Sequence, residues 1–164
     1  LTNIRKMIKE KSKLKNIDLR IDDNSTIHLN ELEGRKTIIY FYPKDDTPGC
    51  TKEAIGFNEY YKKFKEIGVE IYGVSKDSSG KHSKFKEKYD LKFNLVTDDG
   101  TNCNAFGVWV EKSMYGKKYM GIERSTFFVD ENLVVKKVWR KVKVPGHVEE
   151  VFNYIKKDYI DSKS

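Results

Sequence analysis

Apolar positions along the chain change their spacing in a legible order. Ile17, Leu19 and Ile21 alternate with polar residues and run into Asp22-Asp-Asn-Ser25, which predicts a short hairpin. Lys36 to Tyr42 carries Ile, Tyr and Phe on both parities, the pattern of a mid-sheet strand covered on both faces. Pro43 stops it, and Pro43-Lys-Asp-Asp-Thr-Pro-Gly49 reads as a loop. From Cys50 onward, Ala54, Phe57, Tyr61 and Phe64 recur at three- and four-residue spacing, predicting an amphipathic helix that ends near Gly68. Val69 to Ser75 is apolar enough for a second buried strand.

Further along, a helix is expected over Lys81 to Tyr89, a strand over Phe93 to Val96 and a turn at Asp98-Asp-Gly100. Thr101 to Phe106 reads as a short helix, and Trp109 to Gly121 as an excursion over the surface. Ser125 to Val129, the turn Asp130-Glu-Asn132 and Leu133 to Trp139 predict a hairpin. Pro145-Gly146 then opens a last helix, with Val148, Val151, Phe152 and Ile155 on its inner face. Strands alternating with helices, then a hairpin and a closing helix, predict one α/β domain with a mixed central sheet covered by helices on both faces. The expected division is a basic N-terminal extension over 1–16, the domain over 17–160 and a polar tail over 161–164.

At 164 residues, with 38% hydrophobic and 13% aromatic content, the chain can bury its own core and is not a disordered sequence. The longest uninterrupted apolar run, Ile38 to Tyr42, is far too short for a membrane span. Two cysteines exclude a small disulfide scaffold, so a soluble protein of a reducing compartment, cytoplasmic, is expected. The net charge of +7 is concentrated: residues 1–16 hold +5, the rest +2. A nucleic-acid binder would carry its basic stripe on the folded body. The segment reads as a solvated extension, with a basic amphipathic helix through Ile4, Met7/Ile8 and Leu14 as the alternative. A non-enzymatic alternative has the basic N-terminus bind nucleic acid or an acidic surface, alongside any catalysis, and leaves a nuclear location open. It lacks the hydrophobic stretch of a signal peptide, and the chain opens on Leu1 rather than Met, leaving a longer parent protein open.

The chemistry centres on Pro43-Lys-Asp-Asp-Thr-Pro-Gly-Cys50, which sets a cysteine where a central strand has ended and a helix begins. Free N–H groups and the aligned dipoles of a helix start favour a thiolate over a thiol. That contribution is at most ~2 kcal/mol, so full activation needs a cation too. Asp45 and Asp46 work against it unless the loop turns them to water. Thr47 offers a hydroxyl to an oxygen held against the sulfur. His28, His82 and His147 are scattered without metal-ligand spacing, and no glycine-rich phosphate loop follows a strand, so neither metal nor cofactor is expected. A thiolate attacks a peroxide without a general-base histidine, whereas an ester or peptide usually requires one. A disulfide reductase is disfavoured because Thr51-Lys-Glu53, not Cys-x-x-Cys, follows Cys50. Trp109, Trp139, Tyr60 and Tyr61 read as core and rim.

Tyr40-Phe-Tyr-Pro-Lys-Asp-Asp-Thr-Pro-Gly-Cys-Thr-Lys-Glu53 resembles the active-site segment of peroxiredoxins, specifically the bacterioferritin-comigratory-protein (peroxiredoxin Q) branch. The likeness continues in Phe106-Gly-Val-Trp109, Glu111-Lys-Ser, Gly116-Lys and Gly121-Ile-Glu-Arg-Ser-Thr-Phe127, and covers about residues 17–160. It implies a thioredoxin-like fold and a thiol-dependent peroxidase acting on hydrogen peroxide and organic hydroperoxides. In that pattern Cys50 is the peroxidatic nucleophile that becomes a sulfenic acid. Thr47 and the Cys50 N–H bind the peroxide, Arg124 supplies the cation, and Pro43 shields the sulfur. Many members of the branch carry a second, resolving cysteine five residues after the first. Here that position is Ile55, and Cys103 is the other thiol. We read Cys103 as a buried residue, which implies a one-cysteine mechanism with thioredoxin, glutaredoxin or glutathione as external reductant; the alternative is the same peroxidase with Cys103 as the resolving cysteine. Members of the branch are often monomers, and a monomer is expected.

Overall fold

The computed structural model describes residues 7–163. Five strands make the central sheet: β3 (Lys36–Phe41), β4 (Val69–Ser75), β5 (Asn94–Thr97), β8 (Ser125–Val129) and β9 (Val135–Trp139), in spatial order β5-β4-β3-β8-β9. Strand β3 pairs in parallel with β4 and antiparallel with β8, so the sheet is mixed and β3 is its centre. From Thr37 to Phe41 every residue is buried, as its apolar character on both parities predicts.

Alternation along β3 divides the core. Ile38, Tyr40 and Tyr42 face a layer built by α2 (Pro48–Glu66), α3 (Ser79–Tyr89) and α5 (His147–Ser162), through Cys50, Ala54, Phe57, Phe64, Phe85, Val148, Val151 and Ile155. Ile39 and Phe41 face the opposite layer. There the cover is the hairpin β1 (Asp18–Asp22)–β2 (Ser25–His28), the single turn α1 (Leu29–Leu32) and α4 (Thr101–Ala105), through Leu19, Leu32, Cys103 and Phe106. Helices thus lie on both faces, the three long ones all on one.

One expectation is refined and one corrected. The surface excursion over Trp109 to Gly121 is itself a hairpin, β6 (Trp109–Met114) and β7 (Lys117–Ile122), paired only with each other. Most of its residues are exposed on both faces, so no apolar alternation marks it. Its signal is the turn: Tyr115 and Gly116 both have positive φ, as a two-residue hairpin turn requires. The described part of the basic extension, residues 7–16, is neither a solvated arm nor a helix. Lys13 bridges to Val134, the Lys11 and Leu14 N–H groups donate to Val135 and Leu133, and Leu14 is buried in the core. Leu14 anchors the segment, its transfer contributing roughly 2 kcal/mol, and Ile8 packs against the same cluster. Ile4 of the proposed helical stripe lies outside the described residues. Helix α5 continues to Ser162, into the expected tail. Among the described residues, no helix is long and apolar enough to cross a membrane.

Candidate active site

Thr47 is the N-cap of α2 and Pro48 its first residue, where a missing N–H costs nothing. Cys50 is therefore the third helical residue, in the turn whose N–H groups lack intrahelical partners. The thiol is 2% exposed. The Thr47 hydroxyl does not cap its own helix; it donates to the Lys44 carbonyl at 2.9 Å, which fixes its orientation and leaves its oxygen able to accept. Pro43 is exposed, whereas the sulfur is not.

Arg124 lies between β7 and β8, and its carbonyl accepts from the Val142 N–H. Its Nη2 donates to Cys50 Sγ at 3.4 Å, and its Nη1 donates to Glu53 Oε1 at 2.7 Å. The cation required at the helix start is thus supplied from 74 residues away in sequence. Gly49 makes the approach possible: a Cβ there would stand 3.2 Å from Nη2. Glu53, fully buried, was not singled out from the sequence. Its signal is present nonetheless, because it falls on the α2 stripe of Cys50, Ala54 and Phe57 and is the one carboxylate among them. Burial pushes its carboxyl up to about 7, against the pull of Arg124. Its Oε2 and the Tyr40 hydroxyl are buried side-chain atoms without hydrogen-bond partners among the described residues. Tyr40 stacks on Phe57, and Gly73 clears its ring, since a Cβ there would come within 2.8 Å.

Neither aspartate of the loop turns freely to water. Asp46 is held by Lys88 Nζ at 2.8 Å and the Tyr89 hydroxyl at 2.9 Å, and these bonds keep its carboxyl below the ordinary range. Asp45 turns inward, pairing with His82 Nδ1 at 2.6 Å and accepting from the Tyr42 hydroxyl. Asp45, Asp77 and His82 are spaced closely enough to hold a metal ion, but each is already hydrogen-bonded within the cluster or to its surroundings. His147 is buried at the start of α5, bonded to Thr126 Oγ1 at 2.8 Å. His28 is exposed on Asp18. The three histidines stay apart.

Cys103 sits in α4, in the layer on the far side of the sheet from Cys50. It is fully buried, and its N–H donates to Asp98 Oδ2 at 2.9 Å. Burial first, and the Asp98 charge next, push its thiol well above the ordinary range.

Fold and site together define a thioredoxin-like thiol peroxidase, with one cysteine at a helix start under an arginine. The profile of the AhpC/TSA family matches residues 11–138, and the chain belongs to that family. Peroxiredoxin Bcp of Bacillus subtilis is 47% identical over 145 residues, covering 88% of this chain and 92% of the relative. Peroxiredoxin Bcp of Escherichia coli K12 is 39% identical over 135 residues, covering 82% and 86%. A solved structure of Xanthomonas campestris peroxiredoxin Q superposes with a TM-score of 0.82 at 43% identity, covering 88% of this chain and 92% of that one. The family match begins at residue 11, inside the segment expected to be an extension.

Proposed function

We propose that Cys50 is the peroxidatic thiolate of a one-cysteine mechanism, reducing hydrogen peroxide and organic hydroperoxides with electrons from an external thiol. The observation that carries this reading is Arg124 Nη2 at 3.4 Å from Cys50 Sγ while Cys103 lies across the sheet. The sulfur attacks one peroxide oxygen; an S–O bond forms, the O–O bond breaks, and sulfur loses two electrons. The attacked oxygen keeps its proton as Cys50–SOH, and the departing alkoxide or hydroxide takes a proton from water. In this reading the Cys50 N–H and the Thr47 oxygen hold the peroxide. Arg124 sits where charge develops on the departing oxygen, the placement that contributes most to such transition states. Pro43 ends β3 and shields the sulfur once substrate is bound.

Reduction requires two thiol equivalents. The first condenses with Cys50–SOH, releasing water and leaving a mixed disulfide; the second releases Cys50 and leaves with the oxidised reductant. Thioredoxin, glutaredoxin and glutathione each have this chemistry. Action as a monomer in a reducing, cytoplasmic setting completes this reading. Any nucleic-acid contact of residues 1–16 would be separate from catalysis.

Steady-state peroxide consumption tests the assignment. Cys50→Ser is expected to abolish turnover, and Cys103→Ser to stay within about twofold of wild type with a monothiol reductant, since Cys103 packs in the layer across the sheet from Cys50. A Cys50→Ser protein that still consumes peroxide would overturn it.

A further inference from the structure

The loop that carries Thr47 and Cys50 is fastened at a point the chemistry above does not use. Asp45 is buried, and both its carboxylate oxygens are engaged, Oδ1 by the Tyr42 hydroxyl and Oδ2 by His82 Nδ1 at 2.6 Å. The Asp45 N–H donates to Asp77 Oδ2 at 2.7 Å, which also accepts from Ser75 Oγ at 2.8 Å. The other ring nitrogen of His82, Nε2, lies 2.9 Å from the Val96 carbonyl. So Tyr42 just past β3 and His82 of α3, itself tied to β5, hold the Asp45 carboxylate, while Asp77 just past β4 holds its N–H.

The protons of this network can be counted. A carbonyl only accepts, so Nε2 of His82 bears a proton. Tyr42 remains a phenol and donates, since burial, the neighbouring Tyr40 and Asp45 push its hydroxyl upward. One further proton lies between Nδ1 and Oδ2, and whichever atom holds it, the pair is neutral as a unit. Take His82 away and the Asp45 carboxyl, five residues before Cys50 in the chain, keeps the Tyr42 hydroxyl but loses its other side-chain partner.

We propose that His82 is a positioning residue for the peroxidase reaction, holding the loop that leads to Thr47 and Cys50 in place through Asp45. The proposal rests on Cys50 being the reacting group. Its effect belongs to the oxidation step, which needs Cys50 Sγ, Thr47 Oγ1 and Arg124 Nη2 in register. A displacement of about 1 Å at such a site costs on the order of a hundredfold in rate.

The test is quenched-flow oxidation by hydrogen peroxide, with the unreacted thiol alkylated and counted by intact mass, well below the melting temperature of each variant. His82→Leu and Asp45→Ala are each expected to slow oxidation at least tenfold. Asp45→Asn is expected to recover most of the rate. Its amide oxygen accepts from Tyr42, and its NH2 donates to Nδ1 of a neutral His82 whose Nε2–H still reaches Val96. A fold-stabilising role alone would lower the melting temperatures and leave these rates unchanged. A folded His82→Leu protein oxidised at the wild-type rate would overturn the proposal, as would Asp45→Asn being as slow as Asp45→Ala. Should His82→Leu not fold, the two Asp45 variants decide. Failure of the Cys50 assignment reads differently, because the oxidised wild-type peptide would then be another one.

Discussion

Glu53 and His147 are displaced in opposite senses by the same cause. Burial pushes the Glu53 carboxyl up to about 7 and the His147 imidazole down to about 4. Between about pH 4.5 and 7 the folded protein keeps a proton on Glu53 that the unfolded chain has lost, so stability falls as pH rises. Between about pH 4 and 6.5 the unfolded chain binds a proton on His147 that the folded protein excludes, so stability rises. Each slope is at most about 1.4 kcal/mol per pH unit, and in the shared window they oppose each other. Glu53→Gln keeps an oxygen for Arg124 and removes one of the two. Measured by urea denaturation from pH 4.5 to 7, its stability relative to wild type is expected to climb by about 2–3 kcal/mol. A difference that stays constant across that range would show that Glu53 does not titrate there.

At the scale of elements, the site is a junction where the end of β3, the first turn of α2 and the β7–β8 connection meet. Helix α2 supplies both the thiol and its competing carboxylate, one turn apart, and Arg124 divides its guanidinium between them. Gly49 is the element-level constraint, because the helix must present its first turn to a guanidinium without a side chain between. Gly49→Ala suits a helix better by about 0.5 kcal/mol, yet its methyl would press on Nη2. The expected outcome is unchanged or slightly raised thermal stability together with peroxide oxidation slowed several-fold in stopped flow. An alanine variant that oxidises at the wild-type rate would mean the guanidinium has room to move.

The strands and long helices of this junction were readable because each carries a regular apolar period, and Cys50 and Thr47 because Pro43-x-x-x-Thr47-x-x-Cys50 is a local pattern. Arg124 was not readable from periodicity. Nothing local distinguishes it from Arg20, Arg35 or Arg140, and only the resemblance selected it. Glu53 is legible as a carboxylate on an apolar stripe, although nothing in that stripe alone assigns it a role. The Asp45–His82 pair joins residues 37 apart across a strand and a helix, beyond what spacing reveals. The β6–β7 hairpin was missed because a ribbon exposed on both faces needs no apolar alternation.

Across the whole molecule, the central sheet is the partition that decides the chemistry. Cys50 packs on the face of the long helices, with Tyr40 and Phe57; Cys103 packs on the other, with Phe41, Phe106 and Phe127. No side-chain rotation brings them together, since a disulfide needs Cα atoms within about 7 Å and the sheet lies between them. A Cys50–Cys103 bond would require local unfolding of α4 or α2, and Cys103 is also held as a thiol by burial and Asp98. Residues 7–16 belong to this architecture as well, because Leu14 packs in the Cys103 layer. The most direct measurement is intact mass with peptide mapping after one equivalent of hydrogen peroxide, in the presence of a sulfenic-acid trap. The account predicts one trap molecule on Cys50 and a free thiol at Cys103. A loss of two hydrogens, with a peptide linking Cys50 to Cys103, would contradict it.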